Sequence, residues 1–231
     1  MIKSFFNALL DAVYPPRCLI CDEVVACDTF FCKECNGKLK LQLEKRCGGC
    51  GMSAEKCCCN RYIYHFEGVI SPYFNEDDAQ KCVYNFKFNK NKRASELLGE
   101  KMAKAAKLYY KDVDFDLITS VCASKKNTDY DHCKILAKKV SESMGVNYLA
   151  TLERSDKKRQ VQHGLGLDKR FDNVHNAYKA SCSLKGKNIL LVDDIKTSGA
   201  TIDECARQLK FAGAESVYCV TALVGDLKNQ D

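Results

Sequence analysis

Hydrophobic and polar positions divide the chain near residue 60, and beyond it short apolar runs alternate with stretches of helical period. Residues 63–74 have strand character and read as a hairpin. Residues 76–88 carry helical spacing and end at Phe86-Lys87-Phe88, and a longer amphipathic helix spans 95–110. Residues 116–121 read as a buried strand. Residues 130–144 place Ile135, Leu136, Val140 and Met144 on one helical face, and a strand follows near 146–152. The stretch 153–179 is polar, basic and weakly periodic, which predicts a long loop with room for a short hairpin. A strand at 188–192, a helix at 202–212 capped by Gly213 and a strand at 216–224 close the pattern. Strands alternating with helices predict an α/β fold whose mostly parallel sheet is flanked by helices, with ligands bound beyond the carboxyl ends of its strands.

The first 60 residues follow different rules. Of the 16 cysteines, ten fall between Cys18 and Cys59. Cys18-x-x-Cys21, Cys32-x-x-Cys35 and Cys47-x-x-Cys50 are three knuckle-type pairs, and Cys57, Cys58 and Cys59 can complete a further site. Paired C-x-x-C spacings favour zinc over disulfides. Sequential pairing (Cys18, Cys21, Cys32, Cys35) and interleaved pairing (Cys18, Cys21, Cys47, Cys50) both satisfy tetrahedral coordination, and Cys27 is spare. Four thiolates leave no open coordination position, so the zinc is expected to be structural, holding a segment too small for its own core. The division is therefore a zinc module at 1–60 and an α/β domain at 61–231. The six scattered cysteines (Cys82, Cys122, Cys133, Cys182, Cys205, Cys219) read as small hydrophobes.

Composition removes some classes. No apolar run approaches the roughly 18 residues of a membrane span. Residues 1–14 superficially resemble a signal peptide, but Asn7 and Asp11 break the apolar region, and a short amphipathic helix ending before Pro15-Pro16 fits better. A cytoplasmic protein is expected. The net charge of +6 neither requires nor excludes nucleic acid.

The most specific chemistry lies at 189–201. Ile189-Leu190-Leu191-Val192 leads into Asp193-Asp194, then Ile195-Lys196 and the small-residue turn Thr197-Ser198-Gly199-Ala200-Thr201 at a helix start. Such a turn presents backbone N–H groups and hydroxyls to a phosphate. Adjacent carboxylates accept hydrogen bonds from two neighbouring hydroxyls, as on a ribose. Neither a Walker loop nor a dinucleotide fingerprint is present. The pattern points to a sugar phosphate. The basic stretch adds Arg154, Lys157, Lys158, Arg159, Lys169 and Arg170, a set suited to an anionic ligand.

Residues 189–201 resemble the phosphoribosyl-pyrophosphate (PRPP) signature of type I phosphoribosyltransferases. The resemblance implies that Asp193 and Asp194 hold the ribose hydroxyls, and that Lys196, Thr197, Ser198, Gly199, Ala200 and Thr201 surround the 5′-phosphate. The whole chain resembles the ComF family of competence proteins, a zinc module fused to a phosphoribosyltransferase-like domain. Pro15-Pro16-Arg17-Cys18-x-x-Cys21 matches that family's entry to the zinc module. Arg154, Gln162-His163-Gly164-Leu165 and Arg170-Phe171-Asp172-Asn173-Val174 match a segment particular to it. At 121–132 the chain departs from the family's Arg-rich loop, and Lys125 and Lys126 stand where phosphate-binding arginines are usual; Arg159 and Arg170 would add to them. The resemblance implies Mg²⁺ with PRPP, phosphoribosyl transfer to a nitrogen acceptor, and a link to DNA uptake in natural transformation. A second reading is an inactive module that binds single-stranded DNA or DNA-uptake proteins, with PRPP as regulator. Tyr62, Tyr64, Phe66, Tyr73 and Phe74 are its candidate stacking rings.

Overall fold

A computed structural model describes residues 15–41, 46–57, 59, 62–122, 130–155 and 167–225. The expected helix at 1–14 and Cys58, Lys125, Lys126 and Arg159 lie outside the described residues. The main sheet is parallel. Its centre is β6 (Asn188–Lys196), between β3 (Leu117–Ser120) and β7 (Ser216–Val224). On the far side of β7 lie β1 (Gly68–Ile70) and β2 (Tyr73–Phe74).

The expected hairpin at 63–74 does not form. β1 and β2 both run parallel to β7 in one register, Gly68 opposite Tyr218 and Tyr73 opposite Leu223, so they are one edge strand interrupted at Ser71-Pro72. Proline has no N–H to give the ladder. The Ser71 and Thr221 hydroxyls, 2.5 Å apart, bridge the gap instead.

Among the described residues, five α-helices surround the sheet: α1 (Asp77–Phe88), α2 (Lys92–Tyr109), α3 (His132–Met144), α4 (Leu167–Val174) and α5 (Ala200–Phe211). α2 starts earlier than its apolar period suggests because the Asn91 side chain accepts from the Arg93 and Ala94 N–H groups. Asp131 caps α3 in the same way, accepting from Lys134 N at 3.0 Å. Along β6, Leu190 and Val192 pack with α1, α2 and α3, whereas Ile189 and Leu191 face α5. A strand covered on both faces reads as a continuous apolar run.

Residues 147–149 pass the free edge of β3, where Ile118 N donates to Asn147 O and Leu149 N donates to Ile118 O, and are joined to it by one bridge rather than forming the expected strand. The chain then leaves the sheet as β4 (Leu152–Arg154), antiparallel to β5 (Tyr178–Ala180). The stretch expected as a loop therefore holds this hairpin and α4. No helix among the described residues is long and apolar enough to cross a membrane.

Candidate functional site

Chain connections leave β3 and β6 in opposite directions, the first toward the 147–149 edge and the second through α5 to β7. The crevice beyond their carboxyl ends is where an open parallel sheet binds ligands. Asp193 and Asp194 stand there. β6 runs through them, with Asp193 opposite Thr221 and Lys196 opposite Val224 on β7.

The two acids have different surroundings. Asp193 is 8% exposed, and its Oδ1 accepts from Cys133 Sγ at 3.1 Å and from the Asp194 N–H at 2.9 Å. Burial, then the neighbouring Asp194 charge, push its carboxyl up to about 7. Burial and the Asp193 charge push the Cys133 thiol well above its ordinary value, so the thiol is the donor in this pair. Asp194 Oδ2 instead pairs with Lys87 Nζ at 2.6 Å. Cys133, Asp193 and Asp194 could place one ligand atom each within 4.8 Å of the others. A thiol among carboxylates does not suit Mg²⁺, which takes oxygen ligands, and the Lys87 ammonium already offsets the charge.

The turn at 197–199 follows directly. Gly199 adopts φ +84°, a conformation that disfavours a side chain, and so opens α5. The first N–H groups of α5 have no intrahelical carbonyl, and Ser198 Oγ accepts from Ala200 N at 3.3 Å. Thr201 lies in the first helical turn. Lys196 is buried, and its ammonium curls back toward the Thr197 carbonyl at 3.5 Å, placing a cation against the turn.

Two buried acids of α5 hold the neighbouring segments. Asp203 accepts from the His65 backbone N–H at 2.6 Å and lies 3.1 Å from His65 Nδ1. This brings the Tyr64 ring close to Gly199, 3.6 Å from where a β-carbon would lie. Glu204 accepts from the Asn176 N–H, from Arg207 and from Gln208, and so ties the end of α4 to α5. Tyr62 stacks on Phe171 of α4 with centroids 5.2 Å apart, and Tyr64 stacks on Phe66 at 4.6 Å. Of the candidate rings, Tyr73 and Phe66 belong to the core, and Phe74 lies beneath the Arg46 guanidinium. Arg170 lies on α4, and Arg154 stacks over Tyr178.

The structure brings Asp193, Asp194 and the 196–201 turn together. Sequence reasoning missed Lys87, Cys133, His65, Asp203 and Glu204. Cys133 is a correction, since it is bonded to a site carboxyl rather than serving as a plain apolar filler; Cys182 is likewise exposed, not buried. Acids at 203 and 204, directly after the turn, were a usable signal. Nothing local to residue 87 connects it with residue 194.

The cysteines of the first segment form two sets, Cys18, Cys21, Cys32, Cys35 and Cys47, Cys50, Cys57, Cys59, so the sequential pairing holds. Neighbouring sulfurs are 3.6 Å (Cys21–Cys32), 3.5 Å (Cys47–Cys59) and 3.7 Å (Cys50–Cys57) apart. A zinc tetrahedron with bonds of about 2.3 Å has edges of about 3.8 Å, so both sets fit the ion. Burial raises the Cys18 thiol, but N–H groups of Cys21, Cys32 and Ile20 outweigh it and bring it down to about 7. That favours the thiolate at Cys18, whereas burial pushes the Cys35 thiol of the same set up to about 12, a proton that zinc displaces on binding.

The family model described as a double zinc ribbon domain matches residues 9–63, and that described as a phosphoribosyl transferase domain matches residues 131–230. Competence protein ComFC of Streptococcus pneumoniae is 25% identical over 92% of this chain and 90% of its own length. Competence protein F of Haemophilus influenzae is 26% identical, and the aligned part spans 38% of this chain and 40% of that protein. DNA utilization protein YhgH of Escherichia coli is 35% identical over 25% of each chain. Among solved structures, adenine phosphoribosyltransferase from Saccharomyces cerevisiae aligns with a TM-score of 0.40 at 14% identity, over 60% of this chain and 72% of that one. Glutamine PRPP amidotransferase from B. subtilis aligns at 0.38 and 21%, over 55% of this chain and 26% of that one. The thiol geometry and the ribbon match together support structural zinc at both sets. A double zinc ribbon match followed by a phosphoribosyl transferase domain match, with similarity to ComFC running through both, is the arrangement that the resemblance to the ComF family implies.

Proposed function

We propose that the chain binds PRPP at the end of β6 and acts in the handling of incoming DNA on the cytoplasmic side, with residues 1–60 as the zinc module and 61–231 as the ligand-binding domain. One observation carries the reading: two adjacent acids stand near the carboxyl end of the central strand, and just beyond that end the left-handed Gly199 opens α5. In this reading Asp193 and Asp194 accept from the ribose hydroxyls. The 197–201 turn donates to the 5′-phosphate, and the Lys196 charge against it supports the anion. Transfer to a nitrogen acceptor would break the C1–pyrophosphate bond through an oxocarbenium-like state, so the protein's contribution is positioning and charge. Mg²⁺ bound between the ligand's own oxygens would supply positive charge as pyrophosphate leaves. Calorimetric titration of PRPP with Mg²⁺ into wild type and the Asp193→Asn/Asp194→Asn variant tests the site. Wild type is expected to bind and the variant to lose binding; equal affinities dismiss the assignment.

The ring series Tyr62, Tyr64 and Phe171 favours a second reading, a stacking surface for single-stranded DNA. It is half-buried, adjoins Gly199 and shares α4 with Arg170. Tyr62→Ala would weaken oligonucleotide binding at low salt while leaving PRPP binding intact. Absence of oligonucleotide binding by wild type at low salt excludes this reading.

A further inference from the structure

The ion pair between Lys87 and Asp194 carries an inference that rests on the sugar-phosphate reading and extends it to the anomeric end of the ligand. Lys87 lies in the last turn of α1, and its Nζ is 2.6 Å from Asp194 Oδ2, with side chains 23% and 14% exposed. The backbone that delivers it is fixed from the far side. Tyr130 OH donates to Phe86 O at 3.0 Å, and His132 Nε2 lies 2.9 Å from Lys87 O. Both partners belong to the segment entering α3, the helix whose Cys133 donates to Asp193. The end of α1 is therefore anchored to the wall of the site, and the long stem of Lys87 is what remains free to move.

In the sugar-phosphate reading, a ribose hydroxyl competes for the Asp194 Oδ2 that the ammonium now occupies. A ligand bringing hydroxyls alone must break a charge-assisted pair and leave the ammonium without an anion, which is costly where water is partly excluded. A ligand that also brings an anionic group beside those hydroxyls gives the ammonium a new partner within reach of its stem. We propose that Lys87 exchanges Asp194 for the pyrophosphate on C1 of the pentose as the ribose hydroxyls take over the acid pair, so that the site selects a 1-pyrophosphorylated pentose 5-phosphate over the 5-phosphate alone. No covalent bond changes. The lysine acts as a binding residue and sets specificity.

The test compares PRPP and ribose 5-phosphate, each with Mg²⁺, on the full chain. Lys87→Gln is expected to lose about tenfold or more in PRPP affinity, as for one charge-assisted contact, and to bind ribose 5-phosphate as well as wild type or better. Lys87→Arg should keep the preference. Equal weakening of both ligands, or unchanged PRPP affinity, overturns the proposal. Acylation of Lys87 in wild type, followed by mass spectrometry, gives a readout independent of any variant's folding. Labelling should be low in free protein, rise with ribose 5-phosphate and fall again with PRPP. Labelling indifferent to both ligands, in a protein that binds them, overturns the role of Lys87 alone. A wild type that binds neither ligand overturns the sugar-phosphate reading as well.

Discussion

Gly68, the first residue of β1, lies so close to the Gly48 carbonyl that a β-carbon at position 68 would sit 2.5 Å from that oxygen. The contact joins the Cys47–Cys50 knuckle to the edge of the sheet, and Val69 N donates to Gly49 O at 3.1 Å beside it. Because the obstacle is backbone, it cannot rotate away. Gly68→Ala should cost about 1–3 kcal/mol, the range for overpacking, and should weaken the second zinc site, whose glycines form the other side of the contact. Urea unfolding together with competition by a zinc chelator would show both effects; a substitution that leaves zinc affinity untouched would mean the knuckle and the sheet are not coupled.

Zinc removal should therefore reach beyond the ribbons. Metal analysis is expected to find zinc for both four-cysteine sets. A strong chelator should unfold the ribbon segment, which has little core of its own, because zinc binding is its folding free energy. Loss of the second set also removes the cover over β1, so the melting temperature of the α/β body should fall with it. Scanning calorimetry before and after chelation checks this. A body transition unmoved by zinc loss would show that the docking contributes nothing to stability.

Periodicity made the central elements legible, and long-range contacts decided the rest. β6 reads as a strand from Ile189 to Val192 because four apolar residues are buried on both faces. It continues to Lys196 because Asp193, Ile195 and Lys196 still pair with β7, whereas the apolar run alone ends the strand at Val192. The break at Pro72 hid the parallel edge strand, because an apolar stretch with a central proline also fits a hairpin. α4 is short and polar, its two bases balanced by two acids; Glu204 and the Tyr62–Phe171 stack hold it from outside. The acid pair and its turn were legible because they are contiguous. Lys87 was not, because its meaning comes from Asp194, which is distant in the chain.

Asp193 gives a stability prediction with a definite sign. Its folded pKa, about 7, lies above its ordinary value of 3.8, so the folded chain holds this proton more tightly than the unfolded chain. That contribution is complete below the unfolded value and is lost as pH rises through the folded one. Asp193→Asn keeps an oxygen for Cys133 and the Asp194 N–H but carries no charge. The variant should therefore match wild type at low pH and become the more stable of the two by pH 8, by a few kcal/mol at most, while losing PRPP binding. Thermal melts across this range decide it; a stability difference that does not grow with pH would show that the Asp193 carboxyl is not strained.

Gly199→Ala separates backbone conformation from fold. At φ +84° an alanine costs about 1–2 kcal/mol, and its β-carbon would lie 3.2 Å from Lys196 Cε and 3.6 Å from the Tyr64 ring. Relief of that strain reorients the N–H groups at the start of α5. Affinity for PRPP should therefore fall far more than stability does. A variant that binds normally would show that the turn does not hold the phosphate.

Glu204 tests whether α4 must be fastened for the site to work. It is 4% exposed and accepts from the Asn176 N–H at 3.0 Å, from Arg207 at 2.8 Å and from Gln208 at 2.9 Å. Glu204→Ala would strand a largely buried guanidinium and release the chain leaving α4, a change expected to cost about 3–5 kcal/mol, whereas Glu204→Gln retains an acceptor and should cost less. Hydrogen exchange in the described part of this region, 167–177, should accelerate in the alanine variant, with little change at α1 and α2 on the opposite face of the sheet. If α4 and its Phe171 ring complete the ligand site, PRPP should slow that exchange in wild type and do so less in the variant. Exchange that PRPP leaves unchanged in wild type would confine Glu204 to a structural role and leave the acid pair and the 197–201 turn to hold the ligand without α4.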